Sequence, residues 1–348
     1  KPTFFEKLKR FKKEKYILQS EFRKKGKSSS LIADLAFLRD YKSSTDNKTK
    51  NVNHLFLDYT SDLKIPNYLE SKLDAQIEKV TNDTYLKVFQ NNLFYTPVMP
   101  ESQTTMTSNI ELYLGQENQN LTTGIVVYEN LGERHSDRYQ YTLPYYNFSK
   151  NLTPLILDNS INGALNFYST GTNKLSNTNN LRTTVVNDLN YSSNNFISNL
   201  GFENNFEIYF KNLNAIGKND AIYTSNAQID GMSILKIDTS YPLLKLKDTT
   251  TETLTPKISL RINPGNNMDN YSSSSANISA NNVFNINRLG ISNDFEAGRS
   301  VTVGLDYKFD QLEKNQSEDT KDKYLELKIA TVIRDQNENQ IPISSTIN

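Results

Sequence analysis

Any chemistry in this 348-residue chain must start from a short set of side chains, with two histidines and no cysteine among them. The absence of cysteine excludes disulfides, Cys-type zinc sites and thiol catalysis within the chain. A zinc or hydrolytic site gathers His with Asp or Ser in a supported arrangement. His54 stands near the start of an alternating run, where it reads as structural. His135 lies in Glu133-Arg134-His135-Ser136-Asp137-Arg138, which reads as a solvated turn. A lipase on a barrel wall needs a Ser–His pair, and nothing singles one out. Gly171 and Gly201 have no strand–helix context, so phosphate-loop readings fail. The turn Asn263-Pro264-Gly265-Asn266-Asn267-Met268-Asp269 has calcium-binding residue types but reads as a plain turn. The sequons at Asn120, Asn147, Asn151 and Asn277 are what so much Asn and Ser produces by chance. The expectation is a chain that is no enzyme, with no catalytic residue, cofactor or metal.

Charge and composition narrow the classes further. Lys and Arg number 39, as do Asp and Glu, so the basic excess of a nucleic-acid binder is missing. Mean hydropathy is −0.62, and no run approaches the length of a membrane-spanning helix. A spanning β-barrel stays open, because its strands need only one apolar face. Asn reaches 45 residues, a composition that signals either disorder or an AT-rich genome. Aromatic and β-branched residues run the whole length, which a disordered chain would not need. The first 27 positions hold 11 Lys/Arg against three Glu. That density reads as a solvated loop, or as a region attracting phosphorylated lipid. The chain starts at Lys1 and is patterned to both ends, so an internal part of a longer protein is expected.

The residues that could act must sit on strands, because the apolar period is two almost everywhere. Val301, Val303, Leu305, Tyr307 and Phe309 alternate with Thr302, Gly304, Asp306 and Lys308. Leu325, Leu327, Ile329 and Ile333 oppose Glu326, Lys328 and Arg334, and Ile258, Leu260 and Ile262 oppose Lys257, Ser259 and Arg261. Such runs are two-faced strands. Similar runs lie near 15–23, 29–40, 53–63, 68–80, 83–89, 106–115, 121–130, 138–149, 160–170, 181–191, 203–214, 228–239, 256–263, 282–289, 296–309 and 323–334, about sixteen in all, and many exceed the roughly 5–6 residues of a globular strand. Lys7–Lys15 reads as helix or charged loop. A sheet this large needs closure or a second layer. No short repeat supports a solenoid, and 36% hydrophobic content fits tandem sandwiches poorly. The expected fold is all-β: residues 1–348 as part of one large antiparallel transmembrane β-barrel domain. Tyr16, Tyr41, Tyr59, Tyr128, Tyr168, Tyr241 and Tyr324 near strand ends suit interfacial girdles, or are simply good strand residues.

One region resembles a known family. Asn282, Phe284, Asn287, Arg288, Glu296, Gly298, Gly304 and Leu305 match, at compatible spacing, landmarks in the barrel of the lipopolysaccharide-assembly protein family (LptD, also OstA). Tyr241-Pro242, Leu254-Thr255-Pro256-Lys257 and Asn263-Pro264 are similar to earlier landmarks of that family, and Asn82-Asp83-Thr84-Tyr85-Leu86 to a still earlier one. Gly290, Ile291 and Asn293 depart from its pattern, and its disulfide cysteines are absent. The resemblance implies a Gram-negative outer-membrane barrel that inserts lipopolysaccharide into the outer leaflet without covalent chemistry. It implies as partners lipopolysaccharide, a plug lipoprotein (LptE-like) and a periplasmic lipopolysaccharide bridge protein. On that reading the N-terminal periplasmic domain and the seam strands lie outside this chain.

Two further expectations concern single residues. Arg288 and Glu296 flank a turn, where they either pair with each other or face solvent. Lys257, Arg261, Thr302 and Lys308, with Asp306, lie opposite the apolar set and are candidates to face the lumen and lipopolysaccharide. The competing readings are another outer-membrane barrel (porin or receptor) and a surface-exposed β-rich adhesin.

Overall fold

A computed structural model of the chain describes residues 3–12, 15–42, 49–134, 137–152, 163–265, 278–289, 295–314 and 319–335. His135, residues 266–269 of the Asn263–Asp269 turn, Asn277, Gly290, Ile291 and Asn293 lie outside them.

The strands are β1 (Thr3–Lys12), β2 (Lys15–Lys25), β3 (Ser29–Lys42), β4 (Thr49–Asp62), β5 (Glu70–Val80), β6 (Thr105–Gly115), β7 (Gln119–Asn130), β8 (Tyr139–Leu152) and β9 (Gly163–Ser176). They continue as β10 (Asn180–Ser193), β11 (Phe196–Ile197), β12 (Glu203–Lys218), β13 (Gln228–Ser240), β14 (Leu243–Leu246), β15 (Thr250–Asn263), β16 (Gly298–Lys314) and β17 (Asp319–Arg334). One short helix, α1 (Tyr85–Phe89), interrupts them. The protein is all-β, and its strands form a large antiparallel sheet that does not close among the described residues. By residue contacts the chain divides into two compact units. The first holds Lys1–Lys150, Tyr168–Val186 and Asn214–Gln228, and the second the rest.

In the first unit β1 to β8 run as an antiparallel meander, each strand in register with the next. Residues 7–12, expected as helix or charged loop, belong to β1: Lys7 pairs with Gln19 and Lys9 with Ile17. The run at 83–89 is α1 rather than a strand. Asn82 Oδ1 accepts the Thr84 N–H at 3.0 Å, an Asx turn that starts the helix. Tyr85, Leu86 and Phe89 then share one buried face. They pack with Ile17, Ala36, Leu38, Val52, Phe56, Val80, Leu93, Met106 and Leu131 into a single apolar cluster. The run at 282–289 is likewise not a strand. Successive turns close there, Ser279 O accepting the N–H groups of Asn282 and Val283, and Asn282 O that of Asn285.

In the second unit β15, β16 and β17 pair over long stretches, and β13 joins β15. The registers place side chains in rows across the strands. On one face the rows are Leu254–Tyr307–Leu327, Pro256–Leu305–Ile329, Ile258–Val303–Thr331 and Leu260–Val301–Ile333. This apolar face is the open one: Leu327 is 51% exposed, Ile329 58% and Ile333 65%. On the other face Ser259–Thr302 and Lys236–Arg261–Ser300–Arg334 form rows, and Lys236, Ser259, Arg261, Ser300 and Thr302 are buried. The first unit repeats the inversion, with Tyr16, Leu18, Leu35 and Phe37 exposed while Gln19, Asp34 and His54 are buried. From Val301 to Phe309 the apolar face extends about 26 Å along β16, at roughly 3.3 Å per residue.

The packing under α1 makes a measurable demand. Phe89→Ala should remove about 3–5 kcal/mol of stability, because the site is fully buried and rigidly walled. Limited proteolysis should then cut within residues 81–104 before it cuts the strands, whereas the exposed Lys87→Ala should change little.

Candidate functional site

Three cations lie in one cross-strand row of the second unit: Lys236 opposite Arg261, Arg261 opposite Ser300, and Ser300 opposite Arg334. Like charges on a buried face repel and cannot shed their charge into water. Each is met by oxygens from elsewhere. Lys236 Nζ lies 3.0 Å from Glu207 Oε1 and 2.6 Å from Asp238 Oδ2. Arg261 donates to two backbone carbonyls, Ile286 O at 3.0 Å and Glu296 O at 2.8 Å. Arg334 Nε lies 2.9 Å from Glu296 Oε1.

Glu296 is the centre of this arrangement. Arg288 clasps it through two parallel bonds, Nε to Oε2 and Nη2 to Oε1, both 2.6 Å. The third guanidinium nitrogen of Arg288 donates to Thr302 Oγ1 at 3.1 Å. Asn263 Nδ2 donates to the Glu296 carbonyl at 2.9 Å. Arg288 and Glu296 are each 2% exposed, so of the two arrangements open from the sequence the structure has the ion pair and not solvent exposure. Fork-to-fork geometry makes this the strong kind of charge pair. Its contribution to stability lies mainly in what breaking it would leave, a bare buried charge.

The other landmark residues assemble around the same connection. Gly298 opens β16 with φ +79°, a conformation that disfavours any side chain with a Cβ. A Cβ on Gly304 would lie 2.7 Å from the Phe284 ring, so the ring occupies the space that a side chain would take. Lys257 Nζ sits 5.9 Å from the centroid of that ring and pairs with Asp306. Asn282 Oδ1 accepts the Ser279 N–H at 2.7 Å and so ties down the turn. Asn287 precedes Arg288 in the same folded segment and is partly buried.

The residues expected to face a lumen separate into two groups. Arg261 and Thr302 are buried and spend polar atoms on Ile286, Arg288 and Glu296 of the connection before β16. Lys257 and Lys308 keep side chains 35% and 42% exposed, Lys308 lying 3.0 Å from Asp310. Arg334, Asn263 and Lys236 carry as much of the cluster as any residue singled out from the sequence. The signal for Lys236 and Arg334 was position on the polar side of an alternating strand, and for Asn263 also its place in the Asn263-Pro264 pair.

The first unit holds a second buried polar group. Asp34 accepts from Gln19 Nε2 at 3.1 and 2.9 Å and from Thr96 Oγ1 at 2.7 Å. His54 Nε2 lies 3.3 Å from Asp34, and its Nδ1 lies 3.0 Å from the Tyr85 hydroxyl. Burial, aided by the Asp34 charge, pushes the Tyr85 hydroxyl up from its ordinary pKa, so it stays protonated at neutral pH. This Asp–His–Tyr chain is sealed from solvent and serves to pin residues 81–104. Beside it opens a cleft of about 840 Å³ whose lining includes Asp58, Asp74, Glu78 and Glu101. Among the described residues no group of three or more His, Asp or Glu is placed to hold a metal ion.

No protein-family model and no curated protein matches the chain.

A double-mutant cycle on Arg288→Met and Glu296→Met tests the pair. Either single change should cost about 3–5 kcal/mol, and the double clearly less than their sum, in unfolding measured by chemical denaturation. Gly304→Ala should cost about 1–3 kcal/mol by displacing Phe284, and Phe284→Ala should relieve part of that loss in the same assay.

Proposed function

We propose that this chain forms wall of an outer-membrane β-barrel that delivers lipopolysaccharide to the outer leaflet. The observation that carries the membrane part is the inverted burial. Leucines, isoleucines and valines dominate the rows on the open face, while Lys236, Arg261, Asp34 and His54 are buried on the covered one, beside its apolar cluster. In water such rows would expose far more contiguous apolar area than a monomer tolerates. In a bilayer they are the lipid-facing surface, and strands of this length exceed the roughly 9–11 residues that a tilted crossing needs.

The lipopolysaccharide part rests on the family resemblance, and the geometry supplies a reason for it. Landmarks drawn from separate stretches of sequence serve one purpose: Phe284 covers Gly304, Arg288 grips Glu296, Gly298 turns the chain into β16, and Asn263 holds the Glu296 carbonyl. Such a wall suits a cargo with a sugar-phosphate head and acyl tails. The head passes along Lys257 and Lys308 while the tails remain in hydrocarbon, so neither pays several kcal/mol per misplaced polar group. The reading implies a plug lipoprotein and a periplasmic bridge protein as partners, and no covalent step.

Arginine at Val303 or Leu327 should impair membrane assembly by about 2–4 kcal/mol, read as lost heat-modifiable migration after extraction. Glu326→Arg, on the opposite face of the same strand, should assemble normally. Photocrosslinkers at positions 257 and 308 should capture lipopolysaccharide in cells, and those at 258, 303 and 305 mainly phospholipid. Equal capture from both faces would overturn the cargo assignment.

A further inference from the structure

The open apolar face of the first unit ends in a belt of cations. Its rows, read across β2, β3, β4 and β5, are Ser20–Leu35–Leu55–Lys79, then Phe22–Ala33–Leu57–Ile77, then Lys24–Leu31–Tyr59–Ala75. Lys24 thus continues the line of Tyr16, Leu18 and Phe22, at the row where Tyr59 also sits. Beyond it come the exposed Lys25 and Lys27, in a turn closed by the Gly26 N–H to Ser29 O bond at 2.7 Å.

The neighbouring turns extend this rim. Asp62 N–H bonds to Ser28 O at 2.7 Å, and Leu69 N–H to Gly115 O at 2.9 Å, so the ends of β2 to β7 stand side by side. Residues 63–69 contribute exposed Lys64 and two exposed leucines, Leu63 and Leu69, the latter 82% open. Arg23 is paired with Glu21. Lys24, Lys25, Lys27 and Lys64 have no ion pair among the described residues.

Lysines with aromatic and aliphatic neighbours, placed where an apolar band stops, are the arrangement that seats charge among phosphates and leaves apolar stems in the acyl boundary. The side of the membrane follows from connection lengths. This rim carries the links 26–28, 63–69 and 116–118, none longer than seven residues, while the opposite end of the same strands carries 13–14 and 43–48 together with the two longest connections, 81–104 and 131–138. In outer-membrane barrels the short turns face the periplasm. We propose that the rim formed by Lys24, Lys25, Lys27 and Lys64, with Tyr59, Leu63 and Leu69, is a binding surface for the phosphate groups of anionic glycerophospholipid in the inner leaflet. The inference rests on the membrane reading above.

The test reconstitutes the full chain in phosphatidylcholine vesicles with and without phosphatidylglycerol, and measures association of spin-labelled phosphatidylglycerol relative to spin-labelled phosphatidylcholine. Near-surface lysines are each worth about five-fold in attraction to an anionic surface. The unaltered chain should therefore prefer phosphatidylglycerol, a preference that falls with added salt. Joint Lys24→Gln, Lys25→Gln and Lys27→Gln should reduce that preference by about a hundred-fold or to parity, and the three Lys→Arg changes should keep it. Insertion with no preference, or a preference untouched by the glutamine variant, overturns the proposal alone. Tighter capture of lipid A phosphates than of phosphatidylglycerol by the same lysines overturns the choice of lipid. Failure to insert into either vesicle overturns the membrane reading, and the proposal with it.

Discussion

A sheet whose polar side is its covered side has to bring counter-charges to that side from within its own chain. This constraint organises both units. In the second, the row of Lys236, Arg261 and Arg334 lies across four paired strands, too close and too buried to be left bare. Glu207 on β12 and Asp238 on its own strand serve Lys236. Arg261 and Arg334 are instead served by the connection between β15 and β16, which lays Glu296 and two carbonyls over them and is itself locked by Arg288. In the first unit the buried polar group is Asp34, which accepts from Gln19 and Thr96 and lies beside His54, contacts that hold residues 81–104 against the sheet.

Residues 81–104 in the first unit, and residues 278–289 and 295–297 in the second, are thereby part of the covered face and not loops laid on top of it. Their apolar residues reinforce the point: Tyr85, Leu86 and Phe89 in one, Val283, Leu289 and Phe295 in the other are buried, and Phe295 stacks on Tyr209 at 5.1 Å. The core therefore lies between sheet and connection, while the other face keeps its aliphatic rows open. Hydrophobic burial inside the chain does not account for those open rows.

The residues around the start of β16 are each fixed by a local physical demand. Gly298 is demanded by a positive φ, Gly304 by the ring above it, and Glu296 by the cations it neutralises. Together they form a structural joint between the connection and β16.

Strand identity and face were legible from alternation alone, because successive side chains on a strand point to opposite sides. That period placed Val303, Leu327 and Ile258 on one face and Lys257, Arg261 and Thr302 on the other, where the registers also place them. Alternation failed where its apolar residues had no strand to pair with. Residues 83–89 and 282–289 carry strand-like composition, yet an Asx turn and a chain of 3-residue turns claim them locally. What no local pattern could supply was which residues meet across the sheet. Asp34 reaches Thr96 over 62 positions and Arg261 reaches Glu296 over 35, contacts set by register and by the path of a long connection. Burial of Arg261 and Thr302 was decided there too, because the segment that covers them comes from a different part of the chain.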